Sequence, residues 1–373
     1  MRQHVIRGRG CLAQTPALLD SLGIRKPMIV GSQRMAQRLM DAGVSRSAPV
    51  FHAYHPNPDF IDCRDGAALF ESEGCDGLVS IGGGSAMDTA KGIKALLICR
   101  DDRAALDSAF PQGTQLTHVA IPTSAGTGSE ATPFAVLYVD GQKHSLSGDA
   151  MLPEGVALDG DLLASLPLLH KKSCALDALC QGVESWWVRS ATDESRTHAL
   201  NAIRGVLASL RPYLQGDPDA AQAMLDAAFE SGEAIRFTRT TAAHAMSYQL
   251  TKRLGMPHGQ SCMLTLPWHT RILLQHPDVR PVLESLAQAL SIAADDLPDM
   301  MTGLLIGLDL MNTAPVDDAL LDALAVSVNA ERLGNHPCAL TTAQLRAIYA
   351  AALAQPDDET RRRCLKRWHD VEG

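Results

Sequence analysis

A parallel α/β domain followed by an all-helical domain is the fold class that this sequence predicts. Three observations carry it. In the first half, short apolar runs end in Gly/Ser turns and lead into helical stretches. From about Pro167 onward, nearly every segment has helical period. The chain has 373 residues, more than the ~100–200 of a typical single domain.

Met28 to Val30 reads as a strand ending at Gly31-Ser32. Gly77 to Ile81 is a second, ending in Gly82-Gly83-Gly84-Ser85. Thr117 to Pro122 is a third, ending in Thr123-Ser124-Ala125-Gly126-Thr127-Gly128. Helical patterns such as Ala86 to Ile98 lie between them, and this alternation signals a parallel sheet. Ser173 to Arg189, Ser195 to Leu214 and Asp219 to Ile235 then read as helices rich in Ala and Leu, with few β-branched runs. The expected domains are 1–167 and 168–373. Ligands are expected in the cleft between them, at the carboxyl ends of the strands.

Composition removes several function classes. The net charge of −9 supplies no field that would draw the chain onto nucleic acid or an anionic membrane. The basic run Arg361 to Arg363, with Lys366 and Arg367, reads as a solvated helix end. No stretch approaches the ~18 apolar residues of a membrane span. The start Met-Arg-Gln-His lacks the apolar core of a signal peptide. Scattered cysteines with no CxxC pair read as free thiols in a reducing cytoplasm.

Three glycines after a strand, at Gly82 to Gly84, let the backbone take unusual angles and approach a ligand closely. The helix starting near Ser85 would aim its free N–H groups and positive dipole end at an anion such as a pyrophosphate. The spacing is not GxGxxG, and a plain turn capped by Ser85 is the alternative. Asp88 and Lys91, three apart, read equally well as a surface ion pair. The loop Pro122 to Glu130 offers hydroxyls and glycines suited to a ribose or phosphate, or simply a capped turn. Asp177 and Gln181 are four apart on one helix face, as are His244 and Tyr248, and His258 follows in a turn-like Pro-His-Gly. Two histidines and a carboxylate facing one cleft suit a divalent metal, although each alone reads as an ordinary core or surface residue.

Together these segments form GGGSxxDxAK, PTxAGTGSE, a DALxxQxxE helix and HAMxxxL…PHG, in that order. The set resembles the iron-containing (group III) alcohol dehydrogenases over roughly residues 5–350. The resemblance implies a dehydroquinate synthase-like fold: an N-terminal dinucleotide-binding α/β domain and a C-terminal all-helical metal domain. It implies a nicotinamide cofactor, NADPH or NADH, and Fe²⁺ or Zn²⁺. By position, Gly83, Gly84, Ser85 and Asp88 would contact the pyrophosphate. Thr123, Ser124 and Thr127 would line the ribose and nicotinamide, Lys143 would touch the nicotinamide ribose, and Asn57 would lie under the adenosine side. Asp177, His244 and His258 fall on three metal-ligand positions. A cytoplasmic homodimer acting on a small aldehyde or alcohol is the implied setting, with no nucleic acid or membrane partner.

Two positions depart from the family pattern. Gln181 replaces a ligand histidine; its neutral amide oxygen is harder and weaker, which should disfavour soft metals. Tyr248 replaces a histidine beside the nicotinamide and is the candidate proton relay, with an ordinary pKa near ~10. DALCQGVESWWVRSATDES and TRTTAAHAMSYQLTKRLGMPHG are similar to the phosphonate-metabolism branch, the phosphonoacetaldehyde reductases, although Gln260 stands where that branch is expected to carry histidine. That branch implies reduction of phosphonoacetaldehyde to 2-hydroxyethylphosphonate. Arg236 and Arg239, just before His244, are candidate phosphonate contacts, and Arg189 a further one; a solvated helix face is the alternative. A generic short-chain alcohol dehydrogenase, a dehydroquinate synthase-like cyclase and a binding protein that has lost catalysis are the rival readings. Ser32, neutral at the end of the first predicted strand, with Arg34 nearby, favours NADPH, because an acidic residue there would repel a 2′-phosphate.

Overall fold

The computed structural model describes residues 3–112, 116–328 and 333–372. The chain forms two compact units, Met1–Leu166 with Gly216–Gly232, and Pro167–Gln215 with Glu233–Gly373.

The first unit is built on a six-stranded sheet. Its strands are β1 (His4–Arg7), β2 (Pro27–Gly31), β3 (Val50–Phe51), β4 (Gly77–Gly82), β5 (Thr117–Pro122) and β8 (Gly155–Leu158). They lie in the order β1-β8-β5-β4-β2-β3, and every pairing is parallel. The three strands expected from the sequence are the adjacent set β5-β4-β2. These strands are apolar along most of their length because a parallel sheet is covered on both faces. Alternate side chains of β2 feed opposite cores. Met28 and Val30 pack with Leu78 and Ile93, whereas Ile29 packs with Val79, Val119 and Ile121.

Helix α1 (Thr15–Ser21) follows β1; α2 (Gln33–Asp41), α3 (Phe60–Ser72) and α4 (Gly84–Cys99) follow the next strands, and α5 (Asp102–Leu106) precedes β5. An antiparallel hairpin, β6 (Phe134–Val139) and β7 (Gln142–Ser147), interrupts the parallel pattern between β5 and β8. Nothing in the sequence reading anticipated it.

The second unit is helical. It contains α6 (Leu168–Trp187), α7 (Asp193–Leu214), the end of α8 (Pro218–Thr238), α9 (Ala242–Leu254), α10 (His258–Leu274), α11 (Arg280–Ala289), α12 (Leu297–Gly307), α13 (Asp318–Val326), α14 (Thr342–Leu353) and α15 (Asp358–Glu372). Most of α8 packs with the α/β unit instead. A Cβ on Gly128 would sit 2.5 Å from the Gly232 Cα, and the Gln222 side chain accepts from Gly160 N at 2.8 Å. No described helix is long and apolar enough to cross a membrane.

One ion cluster ties three helices of this unit together. Asp299 of α12 accepts from Arg271 of α10 and Arg363 of α15, both at 2.6 Å. Burial raises the Asp299 carboxyl, but the two guanidiniums outweigh it and leave it below its ordinary value. The folded pKa is thus depressed. The stabilisation is present above the unfolded carboxyl value of ~3.9 and fades as pH falls through the lower folded value. Asp299→Asn should cost about 1–2 kcal/mol at pH 7, since both arginines are partly solvated. The difference should shrink as pH falls below ~3.9 and towards the lower folded value. Urea unfolding of both proteins at pH 7 and pH 3 checks this.

Candidate metal centre and cofactor loops

Helix α6 buries Asp177, Gln181 and Glu184 on one face, at 4, 4 and 0% exposure. Positions i, i+4 and i+7 lie one above another on a helix, so the row is a consequence of spacing. Such a row is stable only with partners. Glu184 has four. Its Oε1 accepts from Thr241 Oγ1 at 2.5 Å and Ala243 N at 2.8 Å, and its Oε2 from Thr241 N at 3.1 Å and His244 Nδ1 at 2.5 Å. The first turn of α9 is thereby anchored on α6. Burial would raise the Glu184 carboxyl, but His244 and Thr241 outweigh it and hold it down at about 2.

With Nδ1–H donated to Glu184, His244 presents its Nε2 to Asp177 Oδ1, 3.2 Å away, close enough for the two to share a proton or a cation. His258 is set the same way. Ser247 Oγ donates to the His244 carbonyl at 2.8 Å and accepts from His258 Nδ1 at 3.3 Å. That leaves His258 Nε2 as the lone-pair nitrogen, 3.7 Å from Asp177 Oδ1. His258 does not sit in a turn, as the sequence suggested, but opens α10 behind Pro257. Gly259 makes this possible. A Cβ there would lie 1.9 Å from the Ser173 carbonyl oxygen, so only glycine lets α10 start against α6. Ser173 Oγ accepts from the Gly259 and Gln260 N–H groups at 3.1 and 3.4 Å. The Gln260 side chain donates to the Leu310 carbonyl at 2.8 Å, a packing role for the residue that departs from the branch pattern.

Asp177, His244, His258 and Cys262 thus present one ligand atom each, all within 4.8 Å of one another. Two imidazole lone pairs, a carboxylate and a thiol converging in a buried space repel unless a cation or proton lies among them. The donor set therefore fits a divalent ion. Burial opposes charge on both imidazoles, but Cys262, Glu184 and Asp177 outweigh it at His244, and Cys262 and Asp177 raise His258 to about 9. The cluster opens on the His258 side, whose side chain is 39% exposed against 5% for His244.

Tyr248 lies beside the cluster, its ring stacked on His258 at 6.0 Å between centroids. Gln181 is buried one turn beyond Asp177. Arg236 bonds Glu233 at 3.4 Å and lies against Phe237. Arg239 takes a left-handed φ of 62° at the end of α8. Arg189 donates twice to the Pro337 carbonyl, at 2.7 and 3.2 Å. Glu184 and Cys262 were assigned no role from the sequence. Glu184 stands in the quoted α6 motif, seven residues after Asp177, and Cys262 follows His258 by four. Those helical spacings were the available signals.

In the first unit, two loops meet. The expected unusual angles are absent: none of Gly82, Gly83 and Gly84 has a positive φ. Their role is close approach. A Cβ on Gly84 would lie 3.2 Å from Thr127 Cγ2, and one on Gly83 3.4 Å from Ser124 Oγ. Thr123 N donates to the Gly82 carbonyl at 2.9 Å. Gly83, not Ser85, is the N-cap of α4 and offers no side chain to its first N–H groups. Ser85 Oγ instead accepts from Asn57 N at 3.3 Å, where Asn57 holds a left-handed φ of 60°.

Asp88 and Lys91 form no surface pair. Asp88 accepts from Ser129 Oγ at 2.9 Å and Val136 N at 3.0 Å. Burial raises its carboxyl, against Lys91, these donors and Lys143. Lys91 is fully buried and donates to the carbonyls of Ser129, Thr132 and Phe134 at 2.6, 2.8 and 2.8 Å. Burial lowers it to about 8 although Asp88 and Glu130 favour its charge. The pair staples α4 to the loop after β5 and to the hairpin. Ser32 caps α2, accepting from Met35 N at 3.3 Å, and the Arg34 guanidinium donates to Ser165 Oγ.

The chain is similar to known proteins over most of its length. Residues 2–160 match the iron-containing alcohol dehydrogenase family, and residues 172–353 match the C-terminal region of the same family. A phosphonoacetaldehyde reductase of Streptomyces viridochromogenes is 40% identical over 51% of this chain and 51% of its own, so the match spans about half of that protein. A choline dehydrogenase of Bacillus subtilis is 30% identical over 68% of this chain and 67% of its own. The crystal structure of sulfoacetaldehyde reductase from Bifidobacterium kashiwanohense in complex with NAD⁺ superposes with a TM-score of 0.85 at 27% identity, covering 95% of this chain and 98% of that one. With both family regions matched in order and the fold shared over nearly its whole length, this chain belongs to the iron-containing alcohol dehydrogenase family.

Proposed function

We propose that this protein reduces a small aldehyde with a nicotinamide cofactor at a divalent-metal site held by Asp177, His244 and His258. Phosphonoacetaldehyde, giving 2-hydroxyethylphosphonate, is the favoured substrate. The observation that carries the site is the convergence of His244 Nε2 and His258 Nε2 on Asp177 Oδ1. A bound metal would polarise the aldehyde oxygen as a Lewis acid. Glu184 and Ser247 fix the imidazoles so that both lone pairs face one point. The loops at Gly83–Ser85 and Thr123–Thr127, with Asn57, Asp88 and Lys143 around them, would hold the cofactor. Tyr248, stacked on His258, would supply the proton that the nascent alkoxide needs. Gln181 stands as a weaker ligand or none.

The substrate reading rests on similarity to reductases of two anionic two-carbon aldehydes. Arg236 and Arg239 would supply the guanidinium contacts for the anion. The cytoplasmic homodimer belongs to the same reading, and light scattering of the reduced chain checks the stoichiometry. The test of function is a metal-reconstituted assay of NADH and NADPH oxidation with phosphonoacetaldehyde, sulfoacetaldehyde and butyraldehyde. We expect kcat/KM for phosphonoacetaldehyde to exceed that for butyraldehyde at least about tenfold, the scale of one desolvated charge contact. Equal values would overturn the substrate reading, and no cofactor oxidation with any aldehyde would overturn the enzyme reading.

NADPH is the expected preference. Ser32→Asp keeps a capping side chain for α2, since aspartate caps as well as serine. It adds a negative charge where the adenosine ribose is expected. The ratio of kcat/KM for NADPH over NADH should fall about tenfold or more, because like charges in close contact cost several kcal/mol. A wild-type enzyme strongly selective for NADH would sink this idea.

A further inference from the structure

We propose that Cys262 is itself a ligand of the divalent ion, completing an Asp177–His244–His258–Cys262 set and making this site thiophilic. The proposal rests on the metal reading above and goes beyond its three ligands. Cys262 lies one helical turn after His258 on α10, on the same face. It is fully buried, and its Sγ is 3.8 Å from His258 Nε2. That nitrogen is the lone-pair atom, because Ser247 holds Nδ1–H.

Distances support ligation. Tetrahedral zinc, with bonds of about 2.0–2.3 Å, requires neighbouring ligand atoms about 3.3–3.6 Å apart. The edges here are 3.2 Å from His244 Nε2 to Asp177 Oδ1, 3.7 Å from His258 Nε2 to Asp177 Oδ1, and 3.8 Å from Cys262 Sγ to His258 Nε2. All four atoms fall within 4.8 Å of one another, and a cation among them needs only small side-chain shifts.

The competing reading is a buried thiol that merely fills space. Two other buried thiols of this chain show what that looks like. Cys63 Sγ faces the Thr89 carbonyl at 3.8 Å and Cys11 Sγ faces the Ile6 carbonyl at 3.9 Å. Cys262 instead faces an imidazole lone pair inside a cluster of metal-binding atoms. Ligation exchanges the S–H bond for an S–metal bond and releases one proton to solvent, with no change of oxidation state.

A thiolate changes the metal preference expected from Gln181. Soft sulfur favours Zn²⁺ and Co²⁺ over Mn²⁺ beyond their ordinary order. The test is the Co²⁺-substituted protein. Wild type should show visible ligand-field bands together with a near-ultraviolet thiolate-to-cobalt charge-transfer band. Cys262→Ser should lose the charge-transfer band and keep the ligand-field bands, and its Zn²⁺ affinity should fall at least about 10–100-fold. Cys180→Ser, which removes the buried thiol on α6, should retain the charge-transfer band.

Wild-type ligand-field bands without the charge-transfer band would overturn the Cys262 ligand and leave the three-residue site standing. A charge-transfer band lost with Cys180→Ser would also overturn it. Absence of any cobalt bands would overturn both readings, which separates the two failures. The wild-type spectrum decides the matter even if a variant does not fold.

Discussion

Replacing His258 by alanine should strip the protein of its tightly bound divalent ion and remove aldehyde reduction with it. His258 is the most exposed of the converging ligands, at the open side of the cluster. It also stands at the first position of α10, where a side chain contributes little to the helix interior. Loss of fold is therefore a small part of the expected effect. What disappears is one of the two Nε2 atoms that converge with Asp177 Oδ1. Metal affinity should drop by more than the about 10–100-fold that loss of a supporting outer contact typically costs. The catalytic effect should be larger, because a Lewis acid supplies several kcal/mol and each ~1.4 kcal/mol is tenfold in rate. We expect kcat/KM to fall at least about 10³-fold, with an unchanged far-ultraviolet circular dichroism spectrum. Metal content after dialysis, measured by mass spectrometry, should fall in parallel. Full metal content with full activity would show that the site lies elsewhere.

What the sequence revealed followed physical signal strength. The strands β2, β4 and β5 were legible because a sheet covered on both faces demands unbroken apolar runs between glycine turns. The hairpin of β6 and β7 was missed. Its first strand, Phe-Ala-Val-Leu-Tyr-Val, is an apolar run that ends in Asp140-Gly141, a hairpin signal the reading passed over, whereas its second, Gln-Lys-His-Ser-Leu-Ser, is mostly polar and half exposed and gave none. The two-residue β3 was too short to register. Helix α8 was found as a helix, but its allegiance was invisible. The contact of Gly128 with Gly232, which seats α8 on the α/β unit, depends on two residues without side chains.

At the site, Asp177, His244 and His258 came from motif positions, and periodicity alone could not have brought three separate helices to one point. Lys91 shows the limit of local spacing. Its i,i+3 partner Asp88 suggested a solvated pair, yet both are engaged with the loop after β5 and the hairpin. Local spacing cannot reveal a partner about 40 residues away.

Glu184→Gln is the sharper test of how the metal site is held. Glu184 touches no ligand atom directed at the metal; it acts through His244. As a carboxylate it accepts four hydrogen bonds and donates none. A glutamine must place an NH₂ at one of the two oxygen positions. At Oε2 the new donor opposes Thr241 N–H and His244 Nδ1–H. At Oε1 it opposes Ala243 N–H and forces the Thr241 hydroxyl to turn. His244 can relieve the first clash only by moving its proton to Nε2, which then faces the metal position with no lone pair. A buried unsatisfied donor costs about 1–3 kcal/mol, and loss of an orienting carboxylate typically costs about 10–100-fold in metal affinity. We therefore expect a loss of that size in affinity and in kcat/KM, together with a modest fall in Tm. Thr241→Val separates positioning from stability. It removes one hydroxyl from Glu184 but leaves the His244 contact, so Tm should fall without a comparable loss of metal. ¹⁵N NMR of the imidazoles in the metal-free protein should show His244 changing its protonation pattern in Glu184→Gln and not in Thr241→Val. If both variants lost metal equally, with the His244 signals unchanged, Glu184 would be a structural anchor of α9 on α6 and nothing more.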